Sequence, residues 1–347
     1  MRLDTRTPDT LTLGTGVPLE RLSSEYGTEG RVRFIDLQPR PDDLRAEVLQ
    51  GLGQSPKRLA PKWFYDQTGS RLFDAITQLP EYYPTRTEIG ILRRDGEAIA
   101  EHLGRGKVLI ELGSGSSLKI QILLAALRPR LYVPIDISRD HLIASAQALA
   151  RRFPGLEIQA VCADYSKPLA LPLETDWGER AAFFPGSSIG NFDPPEVRAF
   201  LQRVARLLGP GGALLIGVDL IKDRTILEPA YDDAQGVTAA FNLNLLARLN
   251  RELGADFDLE RFRHHALFNA EASRIEMHLV STCTQQVQVT GEVFDFTEGE
   301  GIHTESSYKY SIQGFQRLAR SAGFVCERVW TDEQGWFSVH CLRVEEA

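Results

Sequence analysis

Hydrophobic positions along this chain change their period twice. Residues 1–60 are polar and broken by Pro18, Pro39, Pro41 and Pro56, and the one helical stretch there, Asp42 to Gly51, stops at a glycine. This reads as a lead-in, and the pattern assigns residues 1–30 no role. Near Thr87 the spacing becomes regular: an amphipathic helix is predicted over Glu88 to Leu103, followed by the apolar run Lys107 to Gly113. Further apolar runs at Leu131–Ile137, Glu157–Ala163, Ala181–Phe184 and Gly212–Val218 are separated by helical patterns at His141–Arg152 and Pro195–Leu208. Alternating runs of this kind predict an α/β fold, a parallel sheet covered by helices.

After Val218 the alternation stops. Tyr231–Leu253 is helical and mixed in polarity, and Arg274–Thr297 has the period of two expected of strands with one wet face. A helix at Ile312–Ser321 and strands at Val325–Thr331 and Trp336–Val344 close the chain. The simplest arrangement is a nucleotide-binding sheet (residues 85–222 and 308–347) with a smaller α+β substrate-binding insertion (223–307) between its fifth and sixth strands. Residues 31–84 are expected to supply the N-terminal part of that substrate-binding domain.

Composition narrows the partners. The 347 residues carry a net charge of -8 and no dense run of Lys or Arg, which argues against nucleic acid. No apolar stretch is long enough for a membrane span, and no apolar leader follows Met1, so a cytoplasmic monomer is expected. Cys162, Cys283, Cys326 and Cys341 are far apart without C-x-x-C spacing, as for reduced thiols. The only close histidines, His264 and His265, are adjacent and point apart, so no metal is expected.

The chemistry starts at Glu111-Leu-Gly113-Ser-Gly115-Ser-Ser-Leu118-Lys119, where the first strand must turn into its helix. Two glycines allow close backbone approach, but the third of a G-x-G-x-x-G pattern falls on Leu118, which argues against a pyrophosphate cofactor such as NAD. S-adenosylmethionine needs no such glycine, and Gly113, Ser114 and Ser116 could hold its amino-acid tail. Asp136 and Asp164 end the second and third strands, placed for ribose and adenine. Together with Glu111 they form an acidic set that suits a cationic sulfonium. Each alone could be a helix-capping carboxylate.

Beyond this turn, Lys62-Trp-Phe-Tyr65-Asp, Gly69-Ser-Arg-Leu-Phe73-Asp, Leu79-Pro-Glu-Tyr82-Tyr-Pro-Thr-Arg86-Thr-Glu88, Gly186-Ser-Ser-Ile-Gly-Asn191-Phe and Ala230-Tyr231-Asp-Asp strongly resemble the histidine Nα-methyltransferases of ergothioneine biosynthesis, from about residue 55 to the C-terminus. The resemblance implies a Rossmann-like class I methyltransferase sheet and three S-adenosylmethionine-dependent methylations of the α-amine of L-histidine, giving hercynine. It also implies roles. Tyr82, Gly113, Lys119, Asp136, Asp164 and Tyr165 would contact the cofactor. Asn191 and Tyr231 would hold the substrate carboxylate and amine, with Tyr65, Phe73, Gly186 and Thr238 lining the amine pocket. Glu305 and Ser307 would read the imidazole, with Met277 beside the ring. Ser306 departs from the β-branched residue expected between them, yet residues two apart on a strand still share a face.

Methyl transfer needs a neutral amine aimed in line at the methyl carbon, so positioning supplies most of the rate and Tyr65 with Asn191 would orient the nitrogen. Simpler readings exist for each residue. The tyrosines and Phe73 could be core aromatics, Asn191 a cap for the helix near Pro194, Glu305 a surface strand residue and Met277 plain core. Other functions consistent with parts of the pattern are N-methylation of another aromatic amino acid such as a tryptophan derivative, a nicotinamide oxidoreductase, or a cofactor-binding regulator without turnover.

Overall fold

The computed structural model describes residues 24–26, 31–37, 44–114, 118–169, 171 and 178–345. In chain order its strands are β1 (Ser24–Tyr26), β2 (Val32–Asp36), β3 (Lys57–Arg58), β4 (Val108–Leu112), β5 (Leu131–Asp136), β6 (Glu157–Cys162), β7 (Arg180–Phe184), β8 (Ala213–Asp219), β9 (Phe262–Asn269), β10 (Arg274–Ser281), β11 (Gln285–Val289), β12 (Glu292–Phe296), β13 (Gly301–Tyr308), β14 (Phe324–Thr331) and β15 (Phe337–Val344). Its helices are α1 (Leu44–Leu52), α2 (Gln67–Ile76), α3 (Tyr83–Leu103), α4 (Leu118–Leu127), α5 (Arg139–Arg152), α6 (Pro194–Leu208), α7 (Arg224–Leu227), α8 (Val237–Leu253) and α9 (Ile312–Arg320).

One sheet runs in the order β1-β2-β6-β5-β4-β7-β8-β15-β14. Strands β2 to β8 of this sheet are mutually parallel, and β15 is antiparallel to both its neighbours. All residues of β4 and β8 are buried, Glu111 and Asp219 included, and their otherwise apolar runs are those of strands covered on both faces. The chain winds outward from β4 in one direction through β5 and β6 and in the other through β7 and β8, so the sheet reverses between β4 and β7. Ligands of open α/β sheets bind in the crevice beyond the carboxyl ends of the strands at such a reversal.

Several elements depart from the sequence expectation: helix α8 begins at Val237 rather than Tyr231, and β9 is a strand that the pattern did not predict. Val32–Asp36, expected with the substrate-binding residues, instead pairs in parallel with β6 and extends the large sheet; Val32, Phe34 and Ile35 are buried there, a run too short to stand out among polar neighbours. Helix α3 begins at Tyr83, five residues before the expected Glu88, because Pro84 sits in the first turn, where its fixed φ and missing N–H suit a helix start. The lead-in helix begins at Leu44 among described residues; Asp42 lies outside them.

A second sheet, β3-β13-β10-β9, packs its Ile275, Met277 and Leu279 face with Phe241 and Leu245 of α8 in one buried cluster. Each such side chain contributes roughly 1.5–3 kcal/mol on burial. The two sheets meet along β13, beyond whose end Tyr310 bridges to Leu220, just past β8. This seam carries residues 305–309 to the carboxyl edge of the large sheet, where the crevice lies.

Candidate active site

At the crevice, β4 ends in Gly113 with φ +77°, a left-handed conformation, and a Cβ there would lie 3.3 Å from the Tyr165 ring. Tyr165 is braced edge-on against Phe184 and Phe200. Burial raises Asp136 to about 6, although it accepts the Ser138 N–H at 2.8 Å. Asp164 accepts from Ser166 and pairs with Lys167 at 3.6 Å, while its buried Oδ2 makes no hydrogen bond; buried Ser114 Oγ is likewise unsatisfied. Buried polar atoms that lack a hydrogen bond at a sheet's carboxyl edge fit a polar ligand that supplies one. Gly115, Ser116 and Ser117 lie outside the described residues.

Lys119, at the start of α4, pairs at 2.6 Å with Glu88, a fully enclosed carboxylate on α3 that also accepts the Gly186 N–H at 2.9 Å. Gly186 (φ +76°) follows β7, so this latch ties the two turns on either side of the sheet reversal. The sequence reading gave Glu111 a share in the acidic set, and the structure corrects this. Buried within β4 and hydrogen-bonded by the Tyr132 phenol, Glu111 is pushed up to about 8 and carries little negative charge at neutral pH.

Opposite, a chain of rings forms a wall. Tyr65 contacts Phe73 at 5.7 Å and Phe241 at 5.9 Å, Phe73 contacts Tyr82 at 6.2 Å, and Tyr82 contacts Tyr231 at 6.2 Å. Tyr65 is 37% exposed, yet burial first, then nearby Glu305, raises its hydroxyl above the ordinary phenol value. Thr238 sits on α8 with its buried Oγ1 unpartnered. Asp233 caps α8 by accepting the Val237 and Thr238 N–H groups, and His264 bonds the Tyr231 carbonyl at 2.8 Å, which together fix the approach of Tyr231.

On β13, Glu305 pairs across from Met277 and Ser307 from Ile275, so the three named site residues share one face with the core of α8. Burial raises Glu305 to about 7 against the opposing pull of Lys309. Gly190 leaves room here, since a Cβ on it would lie 2.7 Å from the Tyr308 carbonyl and 3.6 Å from Ser307 Oγ. Asn191 does not cap the following helix: Asp193 and Glu196 form a capping box at α6. Asn191 and Glu305 instead both line a cleft of about 320 Å³, together with Arg58 and Trp63.

Sequence reasoning missed the group behind this site. Asp219, ending β8 with no exposure, receives Tyr83, Lys222 at 2.6 Å and Lys309 at 2.7 Å. Burial alone would raise it, but the two ammonium groups outweigh this and hold it below the usual carboxylate range. Lys309 also donates to Tyr231 and Ser307. A carboxylate and two lysines beside apolar strands were the available signal, but nothing in their spacing joins them. Nor did spacing disclose that Glu276, His278 and His303 bring potential ligand atoms within 4.8 Å of one another, through a bulge that sets His303 opposite His278. Arg274 already neutralises Glu276 there, at 2.6 Å.

Comparisons with known proteins identify the family. Residues 44–344 match the family model described as histidine-specific methyltransferase, SAM-dependent. The chain is 46% identical over 303 residues to the histidine N-alpha-methyltransferase of Mycobacterium tuberculosis, covering 85% of this chain and 93% of that protein. It is 31% identical to ergothioneine biosynthesis protein 1 of Neurospora crassa, over 80% of this chain and 32% of that longer protein. At 25% identity it also resembles the 4-dimethylallyltryptophan N-methyltransferase of Claviceps purpurea, over 84% of this chain and 92% of that one. An α/β crevice built around Gly113 and Gly186, faced by rings and by Glu305, therefore belongs to a chain that is a member of the S-adenosylmethionine-dependent, histidine-specific methyltransferases.

Proposed function

We propose that this enzyme methylates the α-amine of L-histidine three times to give hercynine, the betaine of ergothioneine biosynthesis. The single observation that carries the reading is the pairing of Glu305 with Ser307 on the buried face of β13, beside Tyr231 and beyond the carboxyl edge of the large sheet. S-adenosylmethionine, when bound, supplies a methyl group on a positive sulfur. The residues at hand fit it: Gly113, Asp136, Asp164 and Tyr165 line the carboxyl ends of β4, β5 and β6, with the unsatisfied Asp164 and Ser114 oxygens as its expected partners.

The chain's own work is positioning. The α-amine has a reference value of about 8, so it must lose a proton before attack, and release to water suffices without a strong general base. Tyr65 remains a phenol at any working pH, and can hold the neutral nitrogen with Asn191. As methyl groups accumulate the product becomes a fixed cation. The rings of Tyr65 and Phe73 favour it by cation–π attraction worth about 0.5–2 kcal/mol. Glu305 and Ser307 favour an imidazole over an indole, which has one N–H and no ring acceptor, so that one of the two polar groups would be left unmatched.

The test is mass spectrometry of the purified chain incubated with S-adenosylmethionine and a panel of free amino acids. Histidine alone should gain three methyl groups. Methylation of tryptophan in preference to histidine, or none of either, overturns the reading.

A further inference from the structure

Lys309 sits just past the end of β13 with its side chain wholly enclosed. Its ammonium has three N–H bonds and meets three acceptors: Asp219 Oδ2 at 2.7 Å, Tyr231 Oη at 2.8 Å and Ser307 Oγ at 2.8 Å. No donor remains. Tyr231 Oη and Ser307 Oγ are also hydrogen-bonded to each other at 2.8 Å.

The protons in this triangle are nearly determined. Each hydroxyl has one proton and two lone pairs, and each gives one lone pair to Lys309. One hydroxyl proton joins the two oxygens. The other belongs to the hydroxyl that accepts twice, has no acceptor within the triangle, and points at whatever fills the site. Either hydroxyl can donate across this contact, and the phenol, as the stronger acid, is the favoured donor to Ser307. Ser307 is left with the free O–H, and Tyr231 with one free lone pair.

We propose that Lys309 is a specificity-determining positioning residue: with Tyr231 as the donor to Ser307, Lys309 occupies the second lone pair of Ser307 and leaves it only its O–H to offer, and beside the Glu305 carboxylate the site then takes an aromatic ring bearing one N–H and one unprotonated nitrogen. Asp219 completes the device, since it fixes Lys309 from the large sheet and so ties ring recognition on β13 to the end of β8. Without Lys309, Ser307 regains a lone pair and can accept from a ligand as well as donate to it. This deepens the histidine reading and rests on it.

The test is calorimetric binding of histidine and of 2-thienylalanine, whose ring is of similar size and lacks nitrogen, to the full chain with S-adenosylhomocysteine. The proteins are the natural chain, Lys309→Met, Ser307→Ala and their double variant, with melting temperatures recorded. The preference for histidine should fall about tenfold in Lys309→Met while thienylalanine and S-adenosylhomocysteine bind as before, and Lys309→Met should change the preference little once Ser307 is alanine. Equal loss for both ligands, or the same tenfold loss on the Ser307→Ala background, marks a merely structural lysine and overturns the proposal. If Lys309→Met does not fold because Asp219 keeps an unmatched charge, Lys309→Met with Asp219→Asn carries the same comparison. A natural chain with no preference for histidine overturns the histidine reading itself; a preference that survives loss of Lys309 overturns only the role given to Lys309.

Discussion

At Glu305, burial and chemistry oppose each other. The side chain is 8% exposed, and burial raises it to about 7, yet reading an imidazole N–H requires the carboxylate form. A bound N–H donor offsets the cost of burying that charge, and a hydrocarbon ring cannot. Charge-assisted hydrogen bonds contribute about 1.5–3 kcal/mol, so Glu305→Gln, which keeps the shape, should lower kcat/KM for histidine by roughly 10- to 100-fold. The loss should shrink as the pH falls toward 6, because Glu305 itself protonates there. Steady-state kinetics across pH 6 to 8 measure both, and a variant with undiminished preference for histidine over tryptophan would mean that another residue reads the ring.

Among elements, β8 and α3 decide whether the crevice keeps its shape. Gly217 of β8 faces Glu88 of α3 so closely that a Cβ would lie 2.2 Å from its Oε1 and 3.0 Å from the Phe337 ring. Glu88 in turn holds Lys119 and the Gly186 turn. Gly217→Ala must therefore displace that carboxylate, costing about 1–3 kcal/mol for overpacking, and should weaken binding of S-adenosylhomocysteine as well. Gly90 is the control: it is exposed on the same helix with nothing within 4 Å of a Cβ. Gly90→Ala should stabilise by about 0.5–1 kcal/mol through helix propensity and leave binding unchanged. Thermal melts with and without S-adenosylhomocysteine separate the two, and unaltered binding in Gly217→Ala would break the link drawn between β8 and the latch.

For the molecule as a whole, stability should depend on pH through its buried groups. Glu111 has a folded value near 8 against an ordinary 4.5, so the folded chain binds the extra proton between those values. Its contribution is complete below about pH 4.5 and is lost as the pH rises toward 8. His303 and His340, pushed down to about 4 by burial, act in the other direction, favouring the folded state as the pH rises through the range between 4 and 6.5. Glu111→Gln isolates the first effect. Its melting temperature relative to the natural chain should climb between pH 5 and pH 8, and a constant difference would show that Glu111 ionises freely in the fold. Among the described residues no helix is long and apolar enough to cross a membrane.

Apolar runs separated by amphipathic helices were enough to place β4 to β8, because strands covered on both faces are mainly apolar on both. The turn at Gly113 was equally legible, since the backbone there needs φ above zero and close approach to Tyr165. The resemblance to the histidine Nα-methyltransferases, rather than any local pattern, pointed to Glu305 and Ser307. The sequence did not disclose β2, whose few apolar residues gain meaning only beside β6. It also did not disclose the meeting of Tyr83, Asp219, Lys222 and Lys309, or the bulge that turns His303 toward His278. Periodicity reports which face of an element is apolar, a local property. Which charges share an enclosed space depends on how two sheets meet along β13, and only the tertiary structure decides that.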